Sequence, residues 1–201
     1  MENNNDIIHN ITARVETAMT GEGTGHDWRH VQRVVKLAQW IAARENADFY
    51  IVTLAALLHD IADHKFHNGD REIGPRIARD IILSEGGDDT TADIVSDIIA
   101  RVSFSGSGGQ KNMQSIEGMC VQDADRLDAM GAIGIARAFA YGGAKGRLLY
   151  EEQSPDSSLA HFDDKLLLLK DLMNTATGRA IAEQRHAVLH NYKQQFLAEW
   201  N

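Results

Sequence analysis

The chain has 201 residues and carries 29 acidic against 20 basic side chains, a formal net charge of −9, which excludes the broad basic footprint of a nucleic-acid polymer binder. With 43% apolar residues it is long enough to bury a core as one domain, residues 1–201, and its single cysteine, Cys120, rules out an internal disulfide. Met1–Asp6 is polar without a signal-peptide pattern, and no apolar run reaches the ~18–20 residues of a membrane span. A soluble cytoplasmic protein with no membrane partner is expected.

Helical periodicity dominates, with only two prolines, Pro75 and Pro155, and few alternating stretches. Val31, Val34, Val35, Ala38 and Ile41 form a stripe after His30. Asp48 is placed to cap a second helix running through Leu54, Leu58 and Ile61. Ile73, Ile77, Ile81 and Ile82 mark a third, ended by Gly86-Gly87; Ile94, Ile98 and Val102 mark a fourth. Ile116 to Phe139 reads as helix, with Gly131 and Gly134 allowing close packing or a break. A C-terminal pair covers 159–173 and 177–200. Two stretches read as loops, Phe104–Gln110 and the segment from Gly142 to Ser158; neither has the glycine frame and Lys-Ser/Thr of a P-loop. Both are read as surface connections or a lid.

The chemistry concentrates where an apolar run meets ionisable groups, in Leu54-Ala55-Ala56-Leu57-Leu58-His59-Asp60. Burying a histidine and an aspartate there is costly unless they are paired or bind metal. Further donors lie upstream in Gly25-His26-Asp27-Trp28-Arg29-His30 and downstream in Val121-Gln122-Asp123-Ala124-Asp125-Arg126-Leu127-Asp128. His26 and His30 are four apart and share a face if the helix starts that early. Imidazole with carboxylate suits a first-row dication, whereas the lack of clustered thiolates counts against structural zinc. Cys120 is read as a small core residue.

His30, His59-Asp60 and Asp125, in that order and in helical context, closely resemble the signature of the HD-domain phosphohydrolase superfamily. His161-Phe162-Asp163-Asp164-Lys165-Leu166 and Asp123–Gly131 extend the likeness to the small stand-alone bacterial HD hydrolases, which include a nucleotide pyrophosphohydrolase. The resemblance implies an all-α helical bundle with a metal site between core helices, its motifs within 26–128, and helices at 159–200. It implies four ligands, His30, His59, Asp60 and Asp125. Asp125 is preferred over Asp123 because the superfamily's ligand sits in an Ala-Asp pair followed by helix. Asp125 and Asp128 are three apart and share a face, which gives Asp128 a supporting role. Dinuclear members carry extra histidines beyond the pair, but after His67 this chain has none until His161. One divalent ion is therefore expected, drawn from Mn, Mg, Ni, Co or Zn.

Such an ion polarises a phosphoryl oxygen and acidifies coordinated water. Asp27, Asp63 and Asp128 are candidates to orient the ligand histidines. In related single-metal enzymes the residue three past the His-Asp aspartate is a glutamate with a proton-transfer role; here it is the shorter Asp63, a candidate for general acid–base catalysis or a helix-end residue. Lys65 is the first candidate for a catalytic and phosphate-binding cation, followed by His26 and Arg126, the last with an internal ion pair as its alternative. Trp28 is read as core packing, and His9, His186 and His190 as surface or packing residues on terminal helices. Lys165, Arg179 and Arg185 are expected to pair with nearby acids.

The expected activity is metal-dependent hydrolysis of phosphate esters or anhydrides of small nucleotides, with (d)NTP pyrophosphohydrolysis as the specific form. The alternatives are a 5′-nucleotidase-type phosphomonoesterase and a non-catalytic metal and nucleotide sensor. A guanosine-tetraphosphate hydrolase would show a Glu-Asp pair after His-Asp, which Ile61-Ala62-Asp63-His64 lacks.

Overall fold

The computed structural model describes residues 2–20, 27–62, 72–102, 113–152, 154 and 156–200. Their regular structure is all helical, with no strand among the described residues. The expected all-α class is therefore observed. The chain divides into two compact units, residues 1–122 and 123–201.

In the first unit α1 (Glu2–Met19) buries Ile7, Ile11, Val15 and Met19, a repeat of four that keeps one face on the core. The terminal helix expected around His9 is thus present, its stripe starting at Ile7 behind a polar opening. In α2 (Trp28–Glu45) Asp27 caps the first turn by accepting from the His30 amide at 2.8 Å. Asn46, in the left-handed region at φ 56°, ends it.

Asp48 caps α3 (Phe49–Leu58), accepting from the amides of Tyr50 and Ile51 at 2.8 and 3.1 Å. Every residue from Ile51 to Leu58 is buried, so α3 is the central helix of this unit and packs against α1, α2 and α5. The helix stops at Leu58 rather than continuing to Ile61. Ile61 instead donates to the Leu58 carbonyl in the turn that follows, at 3.1 Å.

α4 (Ile73–Ser84) takes Pro75 in its first turn, where no amide is needed. It buries Gly74, Pro75, Ala78, Ile81 and Ile82, leaving Ile73 and Ile77 only half-buried. α5 (Asp89–Val102) packs on α4 through Ala92, Val95, Ile98, Ile99 and Val102, while Ile94 is exposed. Of the residues that marked these two helices, Ile81, Ile82, Ile98 and Val102 are buried. The isoleucines alone marked a face, and the small residues Gly74, Ala78 and Ala92 decide which side packs closely. The loop assigned to Phe104–Gln110 lies outside the described residues.

α6 (Ile116–Asp128) is followed by α7 (Gly131–Ala144). The expected break falls at Gly131, whose φ of +68° suits glycine. α7 carries Gly142 and Gly143 within its last turn, so the second loop starts later than composition suggests. Gly142 has a packing reason: a Cβ there would lie 2.0 Å from Ser158 Oγ.

The stretch 159–173 is not one α-helix. A short α8 (Ala160–Asp164) passes into a 3₁₀ helix, Leu166–Leu172, which packs on α9 (Ala176–Trp200). An aromatic ladder of Phe139, Phe162, Tyr192, Phe196 and Trp200 joins α7, α8 and α9, with ring centroids 5.6–6.1 Å apart. No helix among the described residues is long and apolar enough to cross a membrane.

Candidate metal centre

Packing α2 on α3 brings His30, in the first turn of α2, to the residues that end α3. His30 Nε2 and His59 Nε2 lie 3.3 Å apart, and Asp60 Oδ2 lies 3.3 Å from the first and 3.4 Å from the second. Among the described residues these three side chains form a group able to hold a metal ion. A triangle with these edges has its centre about 1.9 Å from each corner, close to the ~2.0–2.2 Å of metal–nitrogen and metal–oxygen bonds. Two imidazole nitrogens and a carboxylate oxygen match the donor preference of a first-row dication. The residues present therefore fit such an ion.

Local geometry fixes one of the ligands. His59 Nδ1 donates to the Ala56 carbonyl at 2.9 Å, which leaves Nε2 with its lone pair facing the other two donors. The carbonyl three residues back is open because the helix ends at Leu58. His30 is fully buried and His59 is 6% exposed, whereas the Asp60 side chain is 16% exposed and marks the solvent side. Asp27 holds the His30 amide rather than the imidazole, so it places the residue through the backbone.

The downstream acids separate by partner. Asp123 is fully buried and accepts from the Asn174 amide (2.8 Å), Asn174 Nδ2 (2.9 Å), the Thr175 amide (2.8 Å) and Thr175 Oγ1 (2.8 Å). Thr175 Oγ1 in turn accepts from the Gly178 amide at 2.8 Å, capping α9. Asp123 thereby anchors the start of α9, a role its sequence neighbourhood did not disclose. Asp128 is buried and paired with Arg137 at 2.7 Å. Asp125 is half-buried on α6 in the second unit.

Arg126 is 6% exposed and donates to the Leu172 carbonyl; burial lowers its pKa, an effect opposed by Asp123 and Asp125. Its anchor is thus a backbone carbonyl rather than the alternative ion pair to Asp123 or Asp128. Arg179 likewise donates to the carbonyls of Met173 and Asn174, at 3.2 and 2.9 Å, and Arg185 to that of Leu127. Both arginines thus satisfy open carbonyls of helix ends and loops, and Arg185 also feels the charge of Asp128. Trp28 is buried, as is Cys120. His26, Asp63 and Lys65 lie outside the described residues, as do His64 and His67.

A buried His, His-Asp donor set at the ends of packed helices defines the class, and the chain belongs to the HD domain family, which it matches over residues 27–130. It is 47% identical over 190 residues to the Bacillus subtilis (strain 168) protein YpgQ, covering 94% of this chain and 89% of that one. It resembles the crystal structure of B. subtilis YpgQ in complex with ADP with a TM-score of 0.84 at 41% identity, covering 98% of this chain and 96% of the other. A Bacillus thuringiensis HD-superfamily hydrolase gives a TM-score of 0.81 at 42% identity, with 98% of each chain covered.

Proposed function

We propose that this chain is a metal-dependent phosphohydrolase of small nucleotides, with pyrophosphate release from a (deoxy)nucleoside triphosphate as its reaction. The observation that carries the reading is the convergence of His30 Nε2, His59 Nε2 and Asp60 Oδ2 within 3.4 Å of one another. The hydrolase fold supports the reaction class, and the ADP complex of YpgQ supports a nucleotide as ligand. A single dication, when bound, supplies charge at the phosphoryl oxygens and a more acidic water.

In this reading His30, His59, Asp60 and Asp125 hold the ion, and residues 1–201 act as one HD-type domain. Asp125 is taken as the fourth ligand for its Ala-Asp pair followed by helix, and Asp123 is instead engaged with Asn174 and Thr175. The Ala56 carbonyl keeps His59 in the donor tautomer. Asp63 moves the proton, and Lys65, His26 and Arg126 offset the charge of the phosphates. Partners are small nucleotides rather than nucleic-acid polymers, in keeping with the net charge of −9.

The test is release of phosphate and pyrophosphate from nucleoside mono-, di- and triphosphates by EDTA-stripped protein re-supplied with Mn, Mg, Ni, Co or Zn. Pyrophosphate from triphosphates, lost with EDTA and restored by metal, is the expected result. Orthophosphate from monophosphates would instead indicate a nucleotidase. Tight nucleotide binding without product under every metal would indicate a sensor. Asp125→Asn is expected to weaken metal retention as Asp60→Asn does; full retention would remove Asp125 from the ligand set.

A further inference from the structure

The C-terminal helix carries two histidines that the metal centre does not use. His186 and His190 lie on consecutive turns of α9, with ring centroids 6.5 Å apart and planes inclined by only 18°. His190 is exposed and His186 half-buried, with its Nδ1 enclosed and without a hydrogen-bond partner. Among the described residues, the contact that each imidazole makes is with the other. The cations on the adjoining positions are turned elsewhere, Arg185 to the Leu127 carbonyl and Lys193 to Asp163 at 2.5 and 2.6 Å.

The backbone that carries the pair is held firmly. Leu189, between them in sequence, is fully buried, and Tyr192 and Phe196 belong to the aromatic ladder that fixes this stretch of α9. Two imidazoles bonded at ~2.0–2.1 Å to adjacent positions of one ion have their centroids about 5 Å apart. Closing the present 6.5 Å to that spacing takes side-chain torsions alone, because the helix already sets the two rings parallel on one face. A chelate of two imidazoles suits zinc, nickel or copper rather than magnesium or calcium, which prefer oxygen.

We propose that His186 and His190 form an accessory site for a first-row transition dication of the zinc, nickel or copper type. The site shares no ligand with the His30, His59 and Asp60 centre and does not rest on the hydrolase reading. Two protein donors leave the remaining positions of the ion to water.

The experiment is equilibrium dialysis of the full chain against Ni²⁺, with histidine ring signals followed by NMR, where the paramagnetic ion broadens its own ligands. His59→Ala removes the other centre and isolates this one. In that background Ni²⁺ should still bind and should broaden the His186 and His190 rings, assigned through the single variants, before those of other histidines. His186→Ala and His190→Ala should each weaken this binding by about a hundredfold, the chelate advantage being lost. Exchanging His190 and Asn191 (His190→Asn with Asn191→His) keeps the composition but moves one imidazole about 100° round the helix, and should cost as much. His190 and Asn191 are exposed, so these variants keep the test valid if His186→Ala folds poorly. No Ni²⁺ bound by His59→Ala at millimolar ion would overturn the proposal. So would full affinity in the exchanged pair, or a loss of only about twofold in His190→Ala, as for two independent imidazoles. Whether His59→Ala itself loses an ion relative to wild type tests the metal centre separately.

Discussion

Gly178→Ala offers a test of the Asp123 anchor, because two physical effects predict opposite signs. Gly178 lies in the first turn of α9, where replacing glycine by alanine in a helix ordinarily stabilises by about 1 kcal/mol. Here the new Cβ would stand 2.2 Å from Asp123 Oδ2 and 2.9 Å from both Asp123 Cγ and Thr175 Oγ1. Relief requires the carboxylate to retreat by roughly 1 Å, which stretches hydrogen bonds now at 2.8–2.9 Å beyond useful length. Losing two of them, at about 1.5–3 kcal/mol each for a charged acceptor, costs about 3–6 kcal/mol. Set against the propensity gain, the net loss is about 2–5 kcal/mol. For a chain of this size that corresponds to a fall in Tm of roughly 5–20 °C. Urea and thermal unfolding of wild type, Gly178→Ala, Asp123→Ala and the double variant measure it. In the Asp123→Ala background the added methyl should cost far less, since the oxygen it strikes is gone. A Gly178→Ala protein as stable as wild type, or the same penalty in both backgrounds, would refute the reasoning.

Three further outcomes are expected. His59→Ala should abolish metal retention, read by metal analysis after dialysis, while circular dichroism keeps its helical amplitude because α3 ends before this residue. Asp48→Ala removes the acceptor for the Tyr50 and Ile51 amides and should cost about 1 kcal/mol in chemical unfolding; no change would mean that another group caps α3. The pKa of His161, lowered by burial and by Lys165 and Arg147, means that the unfolded chain takes up this proton first as pH falls below 6.5. The folded state should therefore lose stability below that pH until the native imidazole also protonates. His161→Gln should remove this part of the pH dependence, measured as unfolding midpoints from neutral pH to pH 5; an identical slope in the variant would contradict it.

Much of the first unit was legible from residues alone. The apolar run Leu54–Leu58 reads as a buried helix, and Asp48 before it is a cap by composition and spacing. Both are short-range properties, set by side-chain polarity and by hydrogen bonds within four residues. That run also placed His59-Asp60 beside the core, although the helix was expected to continue to Ile61 and ends at Leu58. The isoleucines of α4 and α5 marked both helices, but which of them pack was not legible: Ile81, Ile82 and Ile98 are buried while Ile94 is exposed, because the small residues set where the two helices approach.

The sequence by itself therefore determined an all-helical chain, the order of its donor motifs and their likeness to HD proteins. Tertiary structure decided that His30 meets His59, 29 residues further along the chain, and that the Ala56 carbonyl turns the imidazole toward it. It also decided that Asp123 serves Asn174 and Thr175, 51 and 52 residues away, as an anchor for α9. Periodicity and caps are written in neighbouring residues. The partner of a buried carboxylate is chosen by whichever distant donors the packed helices bring to it, and an isolated motif carries no record of that choice.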